Sequence, residues 1–252
     1  MCGKRVQMNT ILAPLLLSFL LWGSLAACGA ENPNSVPGIT EPFFDVTLSA
    51  SVPGIISLQK FKEGDWVKEG DVILELDKKL EELEASRRKL VEDTRKIDLD
   101  ATRVLFQSTK AISKEELEKK VVEYKVAVVE REMAAEQLRK RLIAAPISGT
   151  ITEITLDVGE ACQPYQPLVR LVDTRQCYFV SSLEAQAASR LKLDQTVKLE
   201  IETGGPPIVV PAKLIFLSPV ADPGSGLTRV KAIFDNRDGK VRAGIAGRIL
   251  FE

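Results

Sequence analysis

Cysteine is the residue type with the widest choice of chemistry in this 252-residue chain, because the sequence contains no histidine. Without histidine there is no Ser-His triad, no imidazole general base and none of the usual zinc or copper ligand sets. Cys162 and Cys177 are too far apart to resemble a Cys-x-x-Cys redox motif. Most acidic residues fall on helical faces or in turns, where solvation is their ordinary role. We therefore expect a protein that is not an enzyme and that holds no metal and no cofactor.

The N-terminus has the pattern of an export signal. A positive pair at residues 4–5, an apolar run at 11–21 and the sequence LAAC at 25–28 predict a signal peptide over residues 1–27. The apolar run is too short for a comfortable membrane span. LAAC is similar to a bacterial lipobox, in which Cys28 is acylated and becomes the first mature residue. An ordinary signal peptide that happens to leave a cysteine is the alternative.

Residues 28–42 are polar and rich in Pro, Gly and Asn, which predicts a flexible tether. Removal of the signal and lipidation of Cys28 would leave Cys162 and Cys177 as an even pair in an oxidising compartment. They could form a disulfide or remain two thiols.

Two similar β-rich segments flank a highly charged one. Alternating apolar residues and Gly-Asp turns at 64–65 and 70–71 predict short strands over residues 43–76, and the same pattern returns over 144–173. Residues 77–143 contain 17 basic and 15 acidic residues and neither Pro nor Gly. Short strands with Gly- and Pro-rich turns then fill residues 174–252, which favours a small antiparallel β-barrel.

The charged segment carries apolar residues at intervals of seven, the spacing of a coiled coil. A first series precedes a short polar break and a second follows it, which predicts an antiparallel helical hairpin. Ser113 and Glu116 form a capping box for the second helix. The two series are Leu83, Leu90, Ile97 and Val104, then Val121, Val128, Ala135 and Leu142.

Taken in order, these segments resemble the periplasmic adaptor subunits, or membrane fusion proteins of the HlyD-like and RND efflux type, of bacterial tripartite efflux systems. The resemblance covers residues 43–252 and is carried by EGDWVKEGD at 63–71, APISGTI at 145–151 and FDNRDGKVRAG at 234–244. It implies a mainly β fold: a lipoyl-like β-sandwich split by an antiparallel α-helical coiled-coil hairpin, followed by a small β-barrel. Larger members add a membrane-proximal domain, for which we expect no counterpart here.

In this family the hairpin tip docks onto an outer-membrane channel through an Arg, a Leu four residues on and a Ser seven further. Anchored on Ser113, the Leu position falls on Phe106 and the Arg position on Thr102, with Arg103 adjacent. The mismatch at Thr102 leaves the identity of the channel partner undecided. Ser113 as a plain helix cap and Phe106 as tip packing are the alternatives.

The resemblance further implies a periplasmic protein that its lipid holds to a membrane, expected to be the inner one. Its partners would be an inner-membrane transporter of the RND or ABC type, an outer-membrane channel of the TolC type and five further copies in a hexameric ring, with no role for nucleic acid. One alternative is an envelope spacer lipoprotein without a transport role. Another is a lipoyl or biotinyl carrier acylated on Lys78, in the run LELDK at 74–78.

Overall fold

The structure is a computed structural model that describes residues 35–108 and 112–250. The predicted signal peptide and Cys28 lie outside the described residues. The elements are β1 (Ser35–Ser49), β2 (Gly54–Gln59), β3 (Trp66–Val67), β4 (Val72–Leu76), α1 (Lys79–Ser108), α2 (Lys114–Arg139), β5 (Leu142–Ala144), β6 (Gly149–Ile154), β7 (Ala161–Cys162), β8 (Pro167–Glu184), α3 (Ala185–Ala188), β9 (Thr196–Ile201), β10 (Ile208–Ala221), β11 (Leu227–Asp235) and β12 (Ala246–Leu250).

Six strands close into a barrel in the order β1-β12-β9-β10-β11-β8, because β8 also pairs with β1. All of these pairings are antiparallel, as the sequence predicts. Part of the predicted tether is wrong, however: residues 35–42 belong to β1 and pair with both β12 and β8. Their backbone hydrogen bonds stabilise a strand that their Pro- and Gly-rich composition disfavours.

The barrel core is built around Phe179, whose ring lies over two glycines. Gly38 of β1 and Gly247 of β12 face each other across the strand pair. A Cβ on Gly38 would come within 2.6 Å of the Phe179 ring, and one on Gly247 within 3.1 Å. Only glycine lets both backbones approach the ring this closely.

The β-sandwich draws on both sides of the helical segment, as predicted. Ile56 and Leu76 from the first half pack in one buried cluster with Ile151 and Leu171 from the second. The second half begins with β5 at Leu142, two residues before the predicted boundary at residue 144. The strands β1 and β8 continue from this sandwich into the barrel, so both cores share two strands.

The helical hairpin forms where it is predicted, but the face of α1 that was predicted to pack against α2 is exposed instead. The four residues of its predicted seam, Leu83, Leu90, Ile97 and Val104, are 56–69% exposed. The positions of α1 and α2 that are buried are Leu99, Thr102, Ala127 and Ala134. In the second series Val121 and Val128 are half-buried, Ala135 is exposed and Leu142 already belongs to β5. A heptad identifies a helix-packing face without identifying its partner. Among the described helices, none is apolar and long enough to span a bilayer.

Candidate functional site

The hairpin tip is the first candidate surface, and its four predicted residues differ in their exposure to solvent. Thr102 is buried and donates a hydrogen bond to the Asp98 carbonyl at 2.7 Å, so it does not offer a docking surface. Arg103 is exposed beside Asp100 at 3.2 Å, and Phe106 is half-buried. Residues 109–111, which join the two helices in the sequence, lie outside the described residues.

Ser113 caps α2 as the sequence predicts. Its Oγ accepts a hydrogen bond from the Glu116 backbone N–H at 3.1 Å, and its own backbone is extended. This satisfies one of the unpaired amides at the helix start. Ser113 is exposed, so the cap leaves one face of this residue open to solvent.

Ion pairs, rather than a continuous apolar seam, join the two helices. Glu92 of α1 meets Arg131 of α2 at 2.7 Å, and Arg95 reaches Glu123 at 3.5 Å. Arg88 contacts Glu130 in the same way. These pairs are partly exposed and each contributes little free energy, about 0–1 kcal/mol. The three pairs link residues 88–95 of α1 to residues 123–131 of α2.

Two apolar stripes run along the outside of the hairpin. The first is the α1 stripe, made of the four exposed residues of the predicted seam. The second, which was not predicted from the sequence, lies on α2, where exposed apolar residues recur alternately four and three positions apart. We call these residues the α2 stripe: Val122, Val126, Val129 and Met133. Their spacing is the a/d pattern of a coiled coil and was readable in the sequence. Both stripes are apolar faces that the chain's own helices leave uncovered.

The base of the hairpin is tied to the sandwich by ion pairs. Glu75, at the end of β4, lies 2.5 Å from the Lys60 amine and 2.6 Å from that of Lys78. At the other helix, Arg141 contacts Glu81 at 2.6 Å and donates to the Pro53 carbonyl at 2.8 Å. Both ends of the hairpin are therefore held where they enter the sheet.

Comparison with known families decides the family of the chain. The family model described as "RND MFP, barrel-sandwich hybrid domain" matches residues 45–174. These residues comprise the sandwich together with its inserted hairpin. The chain belongs to this family of membrane fusion proteins.

Relatives extend the similarity over the barrel. This membrane fusion protein is 22% identical to the solvent efflux pump periplasmic linker SrpA of Pseudomonas putida, over 97% of the chain and 66% of the relative. An uncharacterised protein of Haemophilus influenzae is 25% identical over 84% of the chain and 55% of its own length. The chain thus spans about half to two thirds of the length of these curated relatives.

Solved structures agree on the fold. A MacA-MexA chimera with the Pseudomonas aeruginosa MexA α-hairpin superposes with a TM-score of 0.74 at 20% identity, covering 85% of this chain and 76% of the other. MacA from Actinobacillus actinomycetemcomitans gives 0.67 at 20% identity, covering 86% and 78%.

The disulfide that the sequence allowed is absent from this membrane fusion protein. Cys162 and Cys177 are both free and buried, the first in the sandwich core and the second in the barrel core. Their places in separate cores explain why they do not pair. Burial raises the pKa of the Cys177 thiol to about 11, which keeps it protonated and unreactive.

Lys78, the residue that a carrier protein would display for acylation, is engaged at the hairpin base. Its amine contacts Glu75 at 2.6 Å and Glu82 at 3.6 Å. The Glu75 carboxylate raises the pKa of Lys78, so the amine stays charged. A charged, ion-paired amine is a poor nucleophile, and this arrangement favours a structural role for Lys78.

We expect Glu75→Gln to remove an acid-sensitive part of the stability. Lys60 and Lys78 lower the pKa of Glu75, so its contribution is present above the unfolded-state pKa and is lost as pH falls through the lower folded-state value. At pH 7 the variant should lose about 1.5–3 kcal/mol of unfolding free energy, the value of hydrogen bonds to a charged group. Urea denaturation between pH 7 and pH 3 measures this.

The difference between wild type and Glu75→Gln should shrink as the pH falls below about 4, where the glutamate of the unfolded chain is protonated. Glu136→Gln serves as the control, because Glu136 pairs with Arg139 on the exposed surface of α2. A difference that stays constant with pH would show that the charge of Glu75 does not stabilise the hairpin base.

Proposed function

We propose that the chain is the periplasmic adaptor of a tripartite efflux pump, linking an inner-membrane transporter to an outer-membrane channel of the TolC type. The observation that carries this proposal is a helical hairpin fixed at its base and bearing two uncovered apolar stripes. The name of SrpA, an efflux pump periplasmic linker, supports it. Acylated Cys28 would tether the adaptor to the inner membrane, and the transporter would be of the RND or ABC type.

Ring assembly follows from the two stripes. The α1 stripe of one copy would pack on the α2 stripe of the next, since both have the spacing of a coiled-coil seam. Such a contact joins two different faces, and a contact of this kind forms a closed ring when its rotation closes. We propose six copies, the number that the family resemblance implies. The sandwich and barrel would line the lower part of the ring, and the barrel would contact the transporter.

The tip of each hairpin would then meet the channel. Arg103 and Ser113 are the exposed members of the predicted docking set, and Phe106 is within reach of a partner that packs on the tip. Thr102 would act only through packing between the helices, because it is buried. Substrate does not pass through a binding site in this scheme, since the adaptor seals and couples its partners.

Cross-linking from the tip tests this function in the intact cell. Ser108 is exposed at the end of α1, and its Oγ donates to the carbonyl four residues earlier. Ser86 is exposed nearer the base of the same helix and makes the same bond, so it is a matched control. We expect Ser108→Cys, carrying a maleimide photo-cross-linker, to capture an outer-membrane channel, and Ser86→Cys to capture none.

Capture of no channel from either position, with export unchanged on deletion of the gene in every transporter background, would contradict the adaptor function. That result would instead support the envelope spacer. Mass spectrometry of the cross-linked bands identifies the partner. It also distinguishes a channel from a neighbouring copy of the chain.

A further inference from the structure

The junction between the sandwich and the barrel contains an irregularity in the two shared strands. Pro42 pairs with Cys177, and the next pair along β1 is Phe44 with Asp173. One residue of β1 therefore faces three residues of β8, residues 174–176, which we call the junction bulge. A bulge of this kind bends a strand and increases its local twist. It separates the part of β8 that packs in the sandwich core from the part that packs in the barrel core.

The backbone of the junction bulge is fixed to the barrel. Asn236, which follows β11 and is 3% exposed, donates its side-chain amide to the Thr174 carbonyl at 2.9 Å and its backbone N–H to the Arg175 carbonyl at 2.9 Å. The same side chain also bonds both backbone groups of Val241. Loss of these bonds would leave buried polar groups unpaired, so the bulge moves with the barrel.

The side chain of Arg175 points the other way, to the sandwich. Its guanidinium carbon lies 5.0 Å from the centre of the Trp66 ring, within the range of a cation–π contact. Trp66 lies on β3, next to the fully buried Val67 of the sandwich core. The buried Asp173 carboxylate orients the guanidinium through bonds of 3.1 and 2.8 Å and also accepts the Arg175 backbone N–H at 3.0 Å.

A cleft lies at the junction between the sandwich and the barrel. Its walls come from both of them: Thr152 and Arg170 belong to the sandwich, and Val241 and Arg242 to the barrel. The ladder between β1 and β8 is interrupted at the junction bulge, so the two shared strands bend most easily there. The angle between the sandwich and the barrel is therefore sensitive to side chains that span the junction, as Arg175 does.

We propose that Arg175 is a positioning residue that fixes the angle between the sandwich and the barrel by joining the barrel-bound junction bulge to Trp66. The contact limits rotation at the bulge, and so it sets the direction in which the hairpin projects from the barrel. This role is independent of the proposed pump and of any channel or transporter.

Double electron–electron resonance tests the proposal. Spin labels at Lys68→Cys in the sandwich and Lys192→Cys in the barrel replace two exposed lysines. Cys2 and Cys28 are changed to serine. The remaining Cys162 and Cys177 are buried, so they should not take up the label. We expect Arg175→Ala and Trp66→Leu each to raise the population outside the main distance peak roughly two- to five-fold, the equilibrium effect of losing an exposed cation–π contact.

Two further variants make the result specific. Trp66→Tyr keeps an aromatic face for the cation and should retain the wild-type distance distribution. Arg139→Ala removes the ion pair with Glu136, which lies wholly on α2, and should also leave the distribution unchanged. Circular dichroism confirms that each variant is folded. Unchanged distributions in both Arg175→Ala and Trp66→Leu, or equal broadening in Arg139→Ala, would overturn the proposal.

Discussion

Replacing Leu90 and Ile97 together by glutamine is expected to abolish ring assembly and export while the isolated chain stays folded. Both side chains are more than two thirds exposed, so the fold loses little by their removal. Glutamine and leucine have similar helix propensities, so α1 itself should persist. If both residues are buried against a neighbouring copy, about 1.5 kcal/mol is lost for each side chain. The affinity for that neighbour then falls roughly a hundred-fold.

Analytical ultracentrifugation measures the assembly, and an efflux assay in the cell measures its consequence. The control is Lys89→Gln with Lys96→Gln, which places the same residue type one position earlier on the same helix, at exposed sites outside the α1 stripe. The control should assemble and support export as the wild type does. If the stripe variant assembles normally, the α1 stripe is not an interface between copies.

Phe179→Ala is expected to cause the largest loss of stability from a single substitution, about 3–5 kcal/mol. The ring is 1% exposed and lies against the facing backbones of Gly38 and Gly247. Neither glycine has a side chain that could move into the space, so the cavity cannot collapse easily. The midpoint of guanidinium denaturation, followed by far-ultraviolet circular dichroism, measures the loss.

Tyr178→Ala is the matched control, because Tyr178 is the preceding residue of β8 and its ring is only half-buried beside Phe43. We expect it to cost clearly less than Phe179→Ala. Gly38→Ala tests the same packing from the other side. Its new Cβ would lie 2.5 Å from the Val180 carbonyl oxygen, and such overpacking costs about 1–3 kcal/mol. Equal losses in Phe179→Ala and Tyr178→Ala would refute this account of the core.

The sequence predicts the hairpin well because local rules determine it. The dense charge and the absence of Pro and Gly extend both helices, and Ser113 marks the start of α2. The outward direction of the α1 stripe could not be predicted in this way. Leu90 and Ile97 have the spacing of a seam, and the partner of a seam is decided by tertiary structure. The sequence shows how many charged residues the two helices contain. It does not show which of them form ion pairs across the hairpin.

The start of β1 shows the opposite limit. Pro37 and Gly38 are unfavourable in strands, so the local sequence predicts a tether at these positions. Gly38 is nevertheless required where it is, because the ring of Phe179 occupies the space of a side chain. This requirement arises from a residue far along the chain, so no local pattern contains it. Buried thiols follow the same logic: the distance between Cys162 and Cys177 depends on how the two cores are arranged.

The pairing of β1 with β12 also determines the order of folding. Ser35 pairs with Leu250, so the barrel joins the first described residue to the last. A chain that emerges from its N-terminus must leave β1 without this partner until β12 has also emerged. Contacts of such long sequence separation are slow to form, and an unpaired strand edge invites aggregation in the meantime. The helices and the sandwich can form first, and barrel closure is then expected to limit the rate of folding and to set the need for a chaperone.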